Sequence, residues 1–186
     1  MALLDTPSLR QHAAALRTLL VLTLLLGLAY PLAMTGVAQL LPGGNADGSL
    51  VHRGGAVVGS DLIGQSFTDA KGRALPQYFQ SRPSAAGDGY DPLATSASNL
   101  GPENKELIGL VRQRRVAAAR LDGVAPARVP ADALLASGSG LDPDISPAYA
   151  RLQRARVARE RGLSAARVDA LVREHTQGRS LGFVGE

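Results

Sequence analysis

From Thr18 to Leu40 the chain reads TLLVLTLLLGLAYPLAMTGVAQL, and no charged residue occurs between Arg17 and Asp47. A bilayer's hydrocarbon core is about 30 Å thick, and a helix crosses it with about 20 apolar residues. This run therefore predicts a membrane-spanning helix. Arg10, His12 and Arg17 mark one end of it, and the breaker run Pro42-Gly43-Gly44-Asn45 marks the other. A buried core helix of this length would show a polar stripe. A cleaved signal peptide with Thr18 to Leu26 as its apolar core competes more closely. Against it, the apolar run continues past Gly27 to Leu41, and no small-x-small cleavage site follows the leucine block. Pro31 is compatible with a membrane helix, where neighbouring groups satisfy the carbonyl it frees, and Tyr30-Pro31 is a candidate kink. The pattern divides the chain into a tail over 1–17, a span over 18–40 and an extramembrane domain over 41–186. The tail carries Arg10 and Arg17 against Asp5. The positive-inside rule then puts the N-terminus in the cytoplasm and the domain outside.

Beyond the breaker run the pattern changes. Ser49-Leu50-Val51 and Ala56-Val57-Val58 flank Gly54-Gly55, which predicts a β-hairpin. From Thr68 to Pro102 the chain is rich in Gly, Pro, Ser, Asp and Asn and shows no period. A stretch that long without regular structure is functional or disordered, and Tyr78, Phe79, Arg82 and Tyr90 argue for order. Such residues on a loop are typical anchors for a partner surface; alternatively, Tyr78 and Phe79 pin the loop to its own core. Leu107, Leu110, Val111 and Ala118 then share a helical stripe, with Pro102 expected in the first turn and Gly123 at the stop. The arginines at 112, 114, 115 and 120 are expected on its solvated face. Ala133 to Ala136 reads as a short strand before the loop Ser137-Gly138-Ser139-Gly140-Leu141-Asp142-Pro143. Ser146 caps a helix running to Arg161, with Tyr149, Leu152, Ala155 and Ala158 inward and the arginines at 151, 154, 156, 159 and 161 around the rest. Ser164 opens a last helix to about Thr176, with Val168, Leu171, Val172 and His175 as its buried stripe. The fold class expected is α+β: one span, a small sheet and about three helices.

Composition narrows the chemistry. The chain has no cysteine, so thiol catalysis and Cys-based metal sites are excluded. Its three histidines are scattered, and no metal constellation is expected. The Ser/Gly loop lacks the Lys-Ser/Thr pair of a phosphate-binding loop and the register of a nucleophile elbow. Net charge is +4, almost wholly from arginine, but the basic residues alternate with acids and no aromatic platform accompanies them. Nucleic acid is therefore not an expected partner, whereas an anionic lipid or acidic protein surface is compatible. No catalytic residue is identified, and the chain reads as no enzyme by itself.

Several blocks carry a resemblance. Val57-Val58-Gly59-Ser60 and Leu62-Ile63-Gly64-Gln65 come first. Tyr78-Phe79-Gln80-Ser81-Arg82-Pro83-Ser84-Ala85, Tyr90-Asp91-Pro92-Leu93-Ala94 and Ser98-Asn99-Leu100-Gly101-Pro102 follow. Ala136 to Pro143, Ile145-Ser146-Pro147, Gln153 with Arg156-Val157-Ala158, and Arg161-Gly162-Leu163 complete the series. In this order behind one span, they resemble the C subunits of the Kdp potassium-transporting P-type ATPases over nearly the whole chain. Asp144 and Ala97 depart from that pattern. So does the ending at Gly185-Glu186, where the family continues with a further strand.

The resemblance implies an accessory subunit of a bacterial inner-membrane complex that imports potassium at the expense of ATP. Its partners would be a channel-like potassium-binding subunit, a P-type ATP-hydrolysing subunit and a small single-span peptide. It also implies a catalytic chaperone that raises the hydrolysing subunit's affinity for ATP, with Gln153 as the candidate nucleotide contact. Any ATP would be met only through that partner, for the chain has no cofactor of its own. A domain outside the membrane cannot touch cytoplasmic ATP, and Gln153 would then be a helix-surface residue. Docking on the partner would instead use Tyr78, Phe79, Arg82, Pro83, Asn99, Leu100, Ser139, Leu141 and Asp142. The alternative is a signal-anchored envelope protein that binds some other partner and has no part in transport.

Overall fold

The computed structural model describes residues 6–40, 46–178 and 182, and the chain divides into two units, residues 1–50 and 51–186. The first unit is built on helices α1 (Thr6–Leu24) and α2 (Tyr30–Leu40), joined by a π-helical turn over Leu25–Ala29. Together they make one apolar helix over Ser8–Leu40, with mean hydropathy 2.0 and none of it buried within the chain. The wide turn lies where the sequence points to a kink. Pro31 has no N–H, and its ring clashes with the carbonyl four residues back. One turn up, the Tyr30 N–H donates to Leu25 O, a bond one residue longer than the α-helical one. Thr35 Oγ1 donates to Pro31 O at 2.9 Å.

The second unit opens with the expected hairpin. Strands β1 (Leu50–Arg53) and β2 (Ala56–Ser60) form a two-stranded sheet. Gly54 (φ +59°) and Gly55 (φ +82°) supply the left-handed pair that a two-residue turn demands. No helix follows until α3 (Lys105–Asp122), α4 (Pro147–Arg161) and α5 (Ala165–Glu174). The class is α+β, as the sequence predicts.

The three helices of the second unit are capped by side chains. Asn104, Ser146 and Ser164 accept from Glu106 N, Tyr149 N and Arg167 N, satisfying donors that a helix leaves open. Gly123 and Gly162 stop α3 and α4 in the left-handed conformation. Asn104 takes the capping role, so Pro102 lies in the turn before α3 and not in its first turn, where Asn104 N donates to Gly101 O. The core gathers Ala119, Val129, Ala133, Leu134 and Tyr149, flanked by Val111, Ala118, Val124, Ile145 and Leu152.

Four further expectations are corrected. Ala133 to Ala136 is not a strand: Ala131–Ala133 is a 3₁₀ turn entered from Pro130, and Ala133 and Leu134 pack into the helical core. Helix α4 buries Tyr149, Ala150, Gln153, Arg156, Val157 and Ala158, so Gln153 and Arg156 are interior while Ala155 is exposed. Helix α5 ends at Glu174, and His175 is an exposed C-cap residue, Nδ1 lying 2.9 Å from Leu171 O, rather than part of a buried stripe. Arg114 also leaves the solvated arginine face of α3: it is half-buried and donates to Leu134 O at 2.9 Å. Burial pulls its guanidinium below the usual arginine value.

Candidate docking surface

Two loops, 61–104 and 134–146, have no helix of their own, yet they are tied together at many points. The deepest tie runs through α4. Arg156 and Asp122 form an ion pair at 2.7 Å with side chains 0% and 1% exposed. The Arg156 guanidinium also donates to the carbonyls of Pro76 and Tyr78 and, at 2.7 Å, to Gln153 Oε1. Gln153 accepts from Gln80 N at 2.6 Å and donates to Gln80 O at 3.0 Å. The side chain pairs with a backbone amide as a neighbouring strand would. A buried charge persists when it is paired and its remaining donors are bonded, and here the remaining donors reach segment 76–80. Gln153 is 0% exposed, which corrects the helix-surface reading.

That anchorage presents Tyr78 and Phe79. The Tyr78 ring stacks on Phe67, centroids 5.1 Å apart, and the Arg161 guanidinium lies 4.9 Å from its centre. Tyr78 remains 36% exposed, whereas Phe79 is half-buried. Both line an open groove of about 940 Å³ whose walls include Val157, Val168 and Leu171. The two readings of these aromatics meet here, since Tyr78 is pinned on its own fold and still offers an edge to solvent.

A second tie joins the loops directly. Arg82 Nη1 bonds Asp142 Oδ2 at 2.7 Å. Ser84 Oγ accepts from Ala86 N and Tyr90 N and donates to Gly140 O. Tyr90 has φ +58°, rare for a bulky residue. Its hydroxyl donates to Arg82 O at 2.9 Å and to Asp142 O at 3.3 Å, and burial pushes its ionisation upward. Gly64 N donates to Leu141 O at 2.8 Å. A side chain on Gly64 would meet the Tyr90 ring at 2.5 Å, so only glycine fits beneath it. Ser139 O accepts from Ser96 N and Thr95 Oγ1.

Of the expected docking residues, Arg82, Pro83, Ser139, Leu141 and Asp142 belong to this joined region, with Tyr78 and Phe79 beside it. Asn99 (φ +51°) is exposed, Leu100 is half-buried, and no hydrogen bond among the described residues links either to the Arg82–Asp142 pair. Sequence reasoning missed Asp122, Arg156, Ser84 and Tyr90 as organisers. A signal existed for Arg156. Positions 149, 150, 153, 156 and 157 share one helical face, and polar residues among apolar ones there mark a buried network. Among the described residues, the joined carboxylates and hydroxyls bond to backbone and to arginine, and no three His, Cys, Asp or Glu converge on a metal position.

The model of the family described as "KdpC: K+-transporting ATPase, c chain" matches residues 12–186. A Kineococcus radiotolerans protein named potassium-transporting ATPase KdpC subunit is 57% identical over 186 residues, covering 100% of this chain and 91% of the relative. The Mycobacterium tuberculosis protein of that name is 51% identical over 179 residues, 95% of this chain and 91% of the relative. That of Gemmatimonas aurantiaca is 52% identical over 176 residues, 92% of this chain and 85% of the relative.

Proposed function

We propose, from the premise that this chain belongs to the KdpC family of K+-transporting ATPase c chains, that its extramembrane unit is a docking module. It assembles and stabilises the complex by binding its partners with a preformed loop surface. Membership makes the chain a subunit of a potassium-transporting ATPase complex, and Ser8–Leu40 is long and apolar enough to anchor it in the membrane. The partners proposed are the channel-like potassium-binding subunit, the P-type hydrolysing subunit and the small single-span peptide. The unit is placed on the outer face, with the N-terminus inside. Its effect on ATP affinity is then indirect, exerted by holding the hydrolysing subunit's companions in place.

The observation that carries this reading is the order of the loops. Arg156, Gln153, Ser84 and Tyr90 fix them by bonds to backbone, and a surface fixed before binding loses little conformational freedom on association. Gln153 supports the indirect route, because both ends of its buried amide bond within the chain.

Co-expression with the other subunits and recovery through a tag on the hydrolysing subunit tests the docking. Tyr78→Ala and Arg82→Ala are expected to lower recovery, and wild-type recovery of both would sink the docking role. Ser96, exposed in a chain without cysteine, gives a topology probe as Ser96→Cys. Labelling of intact cells by an impermeant thiol reagent is expected. Labelling only after lysis would invert the orientation and reopen direct contact between chain and nucleotide.

A further inference from the structure

Among the described residues, Leu93 is the most exposed large apolar side chain, at 96%. Water is a poor environment for it, and a loose loop would let it collapse onto the surface. The turn prevents that. Asp91 Oδ1 accepts from Leu93 N at 2.9 Å and Asp91 O accepts from Ala94 N at 3.1 Å, while Asp91 N donates to Ala86 O. Pro92 fixes the backbone between them. On the near side, Tyr90 is locked in its left-handed conformation by Ser84 and by its own hydroxyl. On the far side, Thr95 and Ser96 both bond Ser139 O. Backbone strain and eight hydrogen bonds thus hold one leucine out in solvent. Strain of that kind persists where function uses it.

We propose that Leu93 is the anchor by which the domain enters an apolar pocket on the extramembrane surface of a partner subunit of the transport complex. The inference rests on the docking reading above and moves the point of contact from the mutually bonded Arg82–Asp142 region to the Pro92-Leu93 tip. The flanking chemistry selects protein over lipid. Asp88 and Asp91 carry negative charge, and exposed Thr95, Ser96, Ser98 and Asn99 are neutral. A lipid-binding surface combines several apolar residues with lysine or arginine. A lone leucine between carboxylates and neutral polar groups matches a protein pocket with a polar rim.

The test uses the full chain co-expressed with the other subunits. Leu93→Asp is expected to abolish recovery through the tagged hydrolysing subunit, and Leu93→Ala to weaken association about 10- to 100-fold. The melting temperature of the isolated chain stays unchanged, since the side chain touches little of its own fold. Val116→Ala, at an exposed site on α3, is the neutral control. Normal recovery of Leu93→Asp beside impaired Tyr78→Ala or Arg82→Ala would overturn the Leu93 contact and keep domain docking. Normal recovery of all three would overturn both.

The chain has no tryptophan, so the difference in emission between Leu93→Trp and wild-type complexes reconstituted into nanodiscs reports the surroundings of that position. Protection from iodide with no quenching by brominated lipid is expected. Quenching by brominated lipid would assign the residue to the membrane, and free access to iodide would leave it without a partner. Either outcome overturns the proposal.

Discussion

Residues 105–174 hold together as helical proteins do, on a core of aliphatic side chains (Ala119, Val129, Ala133 and Leu134) around Tyr149, beneath capped helices. Residues 61–104 contain no helix and only isolated bridges, and little of their side-chain surface is deeply buried. They are ordered by polar side chains that bond backbone: Gln153 to Gln80, Ser84 to Ala86, Tyr90 and Gly140, and Tyr90 to Arg82 and Asp142. Backbone groups in a helix satisfy one another, whereas an irregular loop needs side chains to do it. The loop region thereby gains a fixed surface free of the regularity of a helix or sheet, which is what shape-specific docking requires.

Arg156 is where the two regions meet, and removing it is the largest way to break the contrast. Arg156→Ala leaves the Asp122 carboxylate buried and unpaired and releases the carbonyls of Pro76 and Tyr78. The expected loss is about 3–5 kcal/mol in urea unfolding, with amide exchange at 76–80 rising together with that of α4. A loss under about 1 kcal/mol would mean that the loops stand without the helical core.

The same contrast explains what was legible in the sequence. The caps Asn104, Ser146 and Ser164, the Gly123 stop and the Gly54-Gly55 hairpin are local signals, and all but Asn104 are legible in place. The strand expected at Ala133 to Ala136 failed because a four-residue apolar run does not distinguish a strand from a buried turn, and nothing lies beside it to complete a ladder. Gln153 and Arg156 were misplaced because polarity alone suggests solvent. Their partners lie up to 80 residues away, as for Arg156 and Pro76, and no local pattern encodes such a distance. Tyr78, Phe79 and Arg82 stand out as aromatic and arginine residues on an aperiodic loop, and the other residues of the docking region came from family resemblance. How Arg82 and Asp142 pair across 60 residues became visible only in the fold.

A cut confined to the loop region sharpens the comparison. Ser84→Ala removes one hydroxyl that serves three backbone groups, one of them the N–H of the strained Tyr90 itself. The expected cost is about 2 kcal/mol, read as faster amide exchange at Ala86 and Tyr90, with α3 and α4 exchanging as before. Slower folding of the helices, or equal deprotection across the domain, would show that the two regions are one cooperative unit.

Alkaline pH separates the regions with the least perturbation. Tyr149, in the helical core, and Tyr90, in the loops, are both pushed above the ordinary tyrosine value, first by burial; the Asp122 charge adds to the effect at Tyr149, and Arg156 opposes it. The folded state keeps both protons where the unfolded chain releases them. Their stabilisation is therefore whole below about pH 10 and is lost as pH rises from there toward the folded-state values. The more deeply buried Tyr149 is expected to dominate, at up to about 1.4 kcal/mol per pH unit. Thermal unfolding between pH 9 and about pH 11 should thus flatten in Tyr149→Phe and remain steep in Tyr90→Phe. The opposite ranking would place the alkali-sensitive tyrosine in the loops and make their polar ties, rather than the helical core, the first structure to open.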